Sequence, residues 1–398
     1  MFKKLIQLFD QLEDHRVTGR IKYPLRLILL IVVVGLMRKG AAWKDYHMHA
    51  EAEKEKLRVF FPGLEVLPHV DTIARTTRRL IPGDLNEWFK HFIISNQEFL
   101  FGGNAVSGDT DFEKYRAQLC NEMVMIAIDG KEIIGATGGS PKDHLIIVNS
   151  VANGKIIGQE KVADKQKRNE IKVTPTLVEK AVSLFKNDAR PIVFTTDAMS
   201  CTREIVSTIS RTSSDYMLSL KGNNKIIHNE VRTLFDEGLT DYPGEIEYDV
   251  YESGPLFGHG RIDSYKCTVA DVTSGIANKY LTQFSEWEGL KTVVRITRTS
   301  TVKKTGETTM TDRYYITNID PDPKKILAIR LNHWKVETTH FFLDHTFEED
   351  KCRVTKKGGA EVLSILRKLL LNILKIAQIE VRESFHSWSK KFKQTAII

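Results

Sequence analysis

Asp129, Asp197 and Glu337 are the residues of this 398-residue chain whose type and setting best suit chemistry. Asp129 closes the apolar run 123–128 and is followed by Gly130-Lys131. Asp197 closes a second run, 192–196, and is followed by Ala198-Met199. An acid at the carboxyl end of a buried strand faces the crevice in which open α/β sheets bind ligands. Glu337 lies far downstream in a helical pattern, His333-Trp334-Lys335-Val336-Glu337. Two acids on neighbouring strands and one from a helix can hold two hard divalent cations. Such a pair clamps the attacking and leaving oxygens of a phosphodiester. The expected site therefore has Asp129 and Asp197 ligating one or both Mg²⁺ ions, with Mn²⁺ able to substitute, and Glu337 completing the second position. Asp344, Glu348, Glu349 and Asp350 are rivals for the third acid; Asp344 lies two helical turns beyond Glu337 on much the same face. His333, His340 and His345 are spaced by seven and five residues, which does not suit a compact helical zinc pair.

Other residues suit contact with a polyanion. Lys131 and Lys221 follow strand ends beside the expected site and are candidate phosphate contacts, with ordinary surface lysines as the plain alternative. Trp287 and Trp334 could stack on a flipped base; core packing is the better reading for Trp334, and Trp287 is more open to the DNA reading. In 68–80, Asp71 or Thr72 can cap a short helix that sets Arg75, Arg78 and Arg79 within one turn. That helix reads either as the recognition helix of a helix-turn-helix-like unit or as a solvated basic helix.

The elements that must position these side chains follow from periodicity. Residues 1–101 read as helical, with Leu5, Leu8, Phe9 and Leu12 at helix spacing. The apolar run Leu27 to Met37 is too short for a membrane span of about 20 residues, so it reads as a buried helix and no membrane is expected. Residues 102–122 turn polar and read as a linker. From 123 to 243 the order is β-β-β-α-β-α-β-α. Asn153-Gly154 marks a hairpin, and Thr174-Pro175 reads as the start of a helix. This order matches a ribonuclease-H-like sheet in which the first and fourth strands are neighbours, which brings Asp129 to Asp197. Residues 244–318 are β-branched and turn-punctuated, a β-rich insertion. The remainder, 319–398, returns to the core with a helix from near Pro323 and basic helices after it. The expected fold class is thus α/β, a ribonuclease-H-like catalytic domain with a β-rich insertion, preceded by a helical DNA-binding domain.

Composition narrows the class. With 41% hydrophobic and 27% charged residues the chain is neither disordered nor fibrous. The net charge is +7, and from Lys351 onward Lys and Arg outnumber Asp and Glu by 11 to 3. A basic surface attracts DNA phosphates. Within that segment Leu363, Leu366, Leu370 and Leu374 suggest a docked helix rather than a free tail. Four widely spaced cysteines without a C-x-x-C pair suit a reducing compartment. With no signal-peptide pattern at the start, a cytoplasmic location is expected.

Several motifs in one order carry a resemblance. They are Ile128-Asp129-Gly130-Lys131, Lys167-Arg168-Asn169-Glu170-Ile171, Thr196-Asp197-Ala198-Met199 and Leu218-Ser219-Leu220-Lys221-Gly222-Asn223. The last runs from His333 through Glu337, His340 and Leu343-Asp344 to Phe347-Glu348-Glu349-Asp350. Over nearly its whole length the chain resembles a DDE insertion-sequence transposase of the H-repeat-associated (ISAs-type) group. Tyr23-Pro24-Leu25 and Asp71-Thr72-Ile73-Ala74-Arg75 resemble that group's associated helical domain. The resemblance implies an enzyme that cuts its own element's terminal inverted repeats and joins them to target DNA, as a homodimer on double-stranded DNA of the nucleoid. It implies that Asp129, Asp197 and Glu337 are the catalytic triad. In hairpin-forming relatives the third acid belongs to a Tyr-x2-Arg-x3-Glu-x6-Lys pattern; here those positions read Arg330, His333, Glu337 and Asp344. Arg330 and His333 are DNA-contact candidates by position alone, since three of the four identities differ. Two other functions compete: a catalytically silent DNA-binding derivative, and a ribonuclease-H-like nuclease without terminal-repeat specificity.

Overall fold

The structure is a computed structural model and describes residues 2–103, 108–137, 145–162, 170–258, 260–273, 275–355 and 358–381. Lys167, Arg168 and Asn169, together with Lys356, Lys357 and the basic positions from Lys390 onward, lie outside the described residues.

Among the described residues eight helices come first: α1 (Phe2–Phe9), α2 (Leu25–Met37), α3 (Trp43–Ala52), α4 (Lys54–Phe60), α5 (Val70–Arg78), α6 (Pro82–Ser95), α7 (Gln97–Phe101) and α8 (Asp111–Glu122). The apolar run is helical as expected, and α2 is buried along almost its whole length. Among the described residues no helix is long and apolar enough to cross a membrane. Helix α5 starts two or three residues earlier than the sequence suggests and is capped by His69, whose ring accepts from the Asp71 amide, rather than by Asp71 or Thr72. The polar stretch read as a linker contains α8, with a reciprocal Thr110–Glu113 capping box and Phe112 and Leu119 buried. Its apolar positions are too few to register as a periodic pattern, yet two large side chains are enough to dock it.

Next come β1 (Val124–Ile133), β2 (Leu145–Ala152), β3 (Lys155–Lys161), α9 (Glu170–Leu184), β4 (Ile192–Thr196), α10 (Arg203–Arg211), β5 (Asp215–Leu220) and α11 (Lys225–Thr233). The hairpin between β2 and β3 turns at Asn153 (φ 46°) and Gly154 (φ 87°), the left-handed pair that a type I′ turn requires. Pro175 does not open α9. It lies inside the helix, which already includes Glu170, so Thr174 is no cap; its hydroxyl donates back to the Glu170 carbonyl at 3.0 Å. A proline there removes one backbone bond, but Leu177, Val178, Ala181 and Leu184 are buried beneath the helix and hold it in place.

The rest of the chain forms α12 (Leu239–Asp241), β6 (Tyr248–Gly258), β7 (Arg261–Asp271), α13 (Gly275–Lys279), β8 (Thr292–Val302), β9 (Thr308–Thr317), α14 (Pro323–Phe347) and α15 (Gly359–Val381). One nine-stranded mixed sheet results, in the order β3-β2-β1-β4-β5-β9-β8-β7-β6. Pairing of β1 with β4 and β4 with β5 is parallel, and the other neighbours are antiparallel. The β-rich stretch therefore extends the central sheet: β9 pairs with β5 from Met217↔Thr317 to Leu220↔Tyr314.

Side chains of β1 and β4 alternate between two buried layers, as a strand covered on both faces must. Ile126, Ile128 and Phe194 join a core shared with α2, α9 and α15. Met125 and Val193 join a second core that includes Ile326 and Ile329 of α14. Leu363, Leu366, Leu370 and Leu374 dock α15 as expected, but Arg367 and Lys368 are buried with them rather than facing solvent.

Candidate active site

Asp129 is not at the end of β1; the strand continues to Ile133, because Gly130, Lys131 and Glu132 remain paired to β2. What ends there is the parallel pairing with β4. Its last matched pair is Ile128↔Thr196, so the next residue on each strand is an aspartate, Asp129 beside Asp197. Neighbouring strands lie about 4.8 Å apart, which makes the two carboxylates close neighbours at an open edge of β1. The Asp197 carboxylate accepts from the Ser200 amide at 3.1 Å, fixing the turn that leaves β4.

Helix α14 is fastened over this edge at two points. Thr195 of β4 and the His333 ring share a hydrogen bond of 2.8 Å, and Asn149 of β2 and the His340 ring share one of 3.1 Å. Positions 333, 337 and 340 lie on one helical face, so Glu337 is carried between the two fastenings and over the aspartates. Glu337 itself is exposed. His340 is largely buried and its Nδ1 stands 3.7 Å from an Asp129 oxygen. Burial, with Lys131 and Lys368 nearby, lowers its pKa to about 3, so the ring beside Asp129 is neutral.

A fourth acid completes the group. Glu170, the first described residue of α9, lays its carboxylate against Gly130: a Cβ there would stand 2.4–2.5 Å from the Glu170 carboxyl atoms. Burial and then Asp197, Glu170 and Glu337 push the Asp129 pKa up to about 7, opposed only by the Gly130 backbone amide. Burial and Asp197 raise Glu170 as well.

Among the described residues no three His, Cys, Asp or Glu side chains already stand together as a ready ion cage. The donor chemistry nonetheless fits a hard divalent ion. Every acid here offers carboxylate oxygen, no lysine or arginine among the described residues forms an ion pair with Asp129, Asp197, Glu170 or Glu337, and the missing Cβ of Gly130 leaves space that a carboxylate fills.

The expected DNA contacts divide. Lys221, Arg75 and Arg79 are exposed, whereas Arg78 is half-buried, with its guanidinium 5.4 Å from the Trp43 ring. Lys131 is not a free phosphate contact: its ammonium is buried against Asp344 at 2.7 Å and Asp350 at 2.8 Å, with Glu349 at 3.9 Å. That pairing gives Asp344, unlike Glu337, a lysine partner of its own. His333 is buried and neutral, its pKa lowered to about 3 by burial, Arg330 and His340. Arg330 donates to the Tyr315 hydroxyl at 2.6 Å and lies over the Tyr315 and Trp334 rings. Trp287 is 3% exposed and packed in the core, so it offers no face to a base in this conformation. Glu170 was absent from the expected site, although it belongs to one of the motifs that carry the resemblance; Asn149 was absent too, its only signal being its place on the strand beside β1.

Comparison with known proteins now bears on this geometry. A family model described as Transposase DDE domain matches residues 125–373, and a second, described as DDE_Tnp_1-associated, matches residues 6–93. The "H repeat-associated putative transposase YhhI" of Escherichia coli is 27% identical over 94% of this chain and 90% of its own length. "Putative transposase YncI" of the same species, from its O157:H7 type, is 28% identical over 94% of this chain and 87% of its own. The resemblance read from the motifs is borne out.

Proposed function

Because this chain belongs to the Transposase DDE domain family, we propose that it is a transposase that cuts transposon-end DNA and transfers the freed strand into target DNA. The observation that carries this reading is an acid group that no lysine or arginine of the described residues pairs: Asp129 beside Asp197 where the parallel pair ends, with Glu337 held above them by the His333 and His340 fastenings. Asp129, Asp197 and Glu337 would hold two divalent ions, Mg²⁺ with Mn²⁺ as substitute. Such ions, when bound, supply an activated water and stabilise the departing 3′ oxygen. As a ligand Asp129 would be ionised, and the neutral His340 beside it would add no positive charge to compete with an ion. Glu337, exposed on the open side, lies where a DNA backbone has access.

The strand order β3-β2-β1-β4-β5 supports a ribonuclease-H-like core, and β6–β9 the reading of an insertion joined to it. We assign residues 1–101 to a helical DNA-binding domain on the exposed Arg75 and Arg79, with Lys221 as a phosphate contact nearer the acids. Acting on paired DNA ends calls for a homodimer on nucleoid DNA in the cytoplasm.

Labelled DNA bearing the element's own terminal repeat, incubated with Mg²⁺ and wild type, Asp129→Ala or Glu337→Ala, tests the proposal. Cutting at the repeat boundary by wild type alone supports it. Specific binding without cutting by all three would make the protein a silent DNA-binding derivative, and cutting without regard to sequence would make it a general nuclease.

A further inference from the structure

We infer that Glu170 is a fourth ion-holding residue of the active site, reaching the edge of β1 from the sheet face opposite to Glu337. The inference rests on the proposal that Asp129 and its neighbours hold a divalent ion, and it goes beyond the three acids that the family resemblance implies.

Side chains of a strand alternate between faces. Asp129 and Lys131 point toward α14, as their contacts with His340 and Asp344 show. Gly130 between them faces α9, and there the Glu170 carboxyl carbon and both oxygens lie 2.4–2.5 Å from the place a Cβ would take. A Cβ at 130 would displace that carboxylate, the free end of a flexible side chain, from its present place. Beyond Ile128↔Thr196 no strand of the described residues pairs with the β4 side of β1. A carboxylate from the α9 face and one from the α14 face can therefore approach the same space past the end of β4.

The local fold is arranged to bring Glu170 there. Helix α9 runs at least one turn ahead of Pro175, although the proline deprives that turn of a backbone bond. The Thr174 hydroxyl braces it by donating to the Glu170 carbonyl. Among the described residues no lysine or arginine pairs with Glu170, in contrast to the nearby Glu160, which Lys180 pairs. A half-buried carboxylate brought to a glycine gap beside two aspartates, with no lysine or arginine of the described residues paired to it, is suited to share a cation that arrives from solution.

Binding of Mn²⁺ alone to the full chain, followed at pH 8 by the spectroscopic signal of the free ion, tests this. The variants are Glu170→Gln, Gly130→Ala and Asp129→Asn, each with its melting curve recorded. Asp129→Asn should abolish binding in the range tested, and Glu170→Gln should weaken it about tenfold or more with an unchanged melt. Gly130→Ala should weaken it similarly while keeping every carboxylate; if that variant fails to fold, Glu170→Gln carries the test. Loss in Asp129→Asn with wild-type binding in Glu170→Gln overturns the inference and leaves the ion site standing. Wild-type binding in Asp129→Asn overturns the ion site and the role of Glu170 with it.

Discussion

Asp129 and Lys131 are two residues apart on one strand, face the same helix and are both surrounded by acids, yet their surroundings are opposites. Around Lys131, Asp344, Asp350 and Glu349 converge on one ammonium. Burial disfavours that charge, but Glu349, Asp344 and Asp350 outweigh it and raise the lysine pKa. Around Asp129 stand Asp197, Glu170 and Glu337, and among the described residues its one ion-pairing neighbour is a neutral histidine. The first cluster is electrostatically complete and fastens the end of α14 to the sheet. The second has no lysine or arginine of the described residues paired into it, which suits the proposed ion. In a protein of this kind acidity alone does not mark a site; acidity left without an internal cation does.

That contrast can be broken from either side. The largest effect is expected at the second cluster: Asp197→Asn should lower the rate of Mg²⁺-dependent DNA cleavage by about a thousandfold or more, on the order of 4 kcal/mol, with folding intact by circular dichroism. At the complete cluster the loss should fall on stability. Lys131→Met leaves three acids without their cation and should destabilise the fold by about 3 kcal/mol in urea unfolding, and Mn²⁺ binding by the folded variant should stay near wild type.

The third test uses pH. Asp129 titrates near 3.8 when unfolded and about 7 in the folded, ion-free chain. The folded state therefore binds the extra proton between those values, and ion-free stability should fall as pH rises from about 4 to 7, then level off. Because the slope from one group cannot exceed about 1.4 kcal/mol per pH unit, the difference between wild type and Asp129→Asn measures it. Ion affinity should run the other way, weakening up to about tenfold per unit as pH drops below 7. The smallest effect belongs to Lys221, exposed beside the acids. Lys221→Ala should weaken DNA binding a few-fold and reduce its salt dependence by about one phosphate contact, without changing stability.

Much of the frame was legible in the sequence because it rests on local signals. The Asn153-Gly154 turn, the apolar runs of β1 and β4, and the proline that starts α14 each declare themselves within a few residues. Asp129 and Asp197 followed from these, since strand order brings the runs side by side. What stayed hidden depends on partners distant in sequence. Lys131 follows an apolar run as a surface lysine does, and only Asp344 and Asp350 on a distant segment reveal it as buried. Trp287 lies in a polar-looking stretch but packs into the main core. Pro175 suggested a helix start because the preceding turn is held by packing and by Thr174, which propensity does not record. Glu170 was missed for a related reason: its meaning lies in the empty space at Gly130, and a missing Cβ has no pattern of its own.

Helix α15 has a consequence for how the protein is made. Leu363, Ile365, Leu366, Leu369 and Leu370 sit in the same core as Leu29, Val34 and Ile126, and Asn372 bonds the backbone of Ile156 at the start of β3. A nascent chain that already displays both aspartates still lacks the piece that closes its interior. A ribosome that terminates before residue 359 would release an open, sticky intermediate for quality control rather than a closed fold.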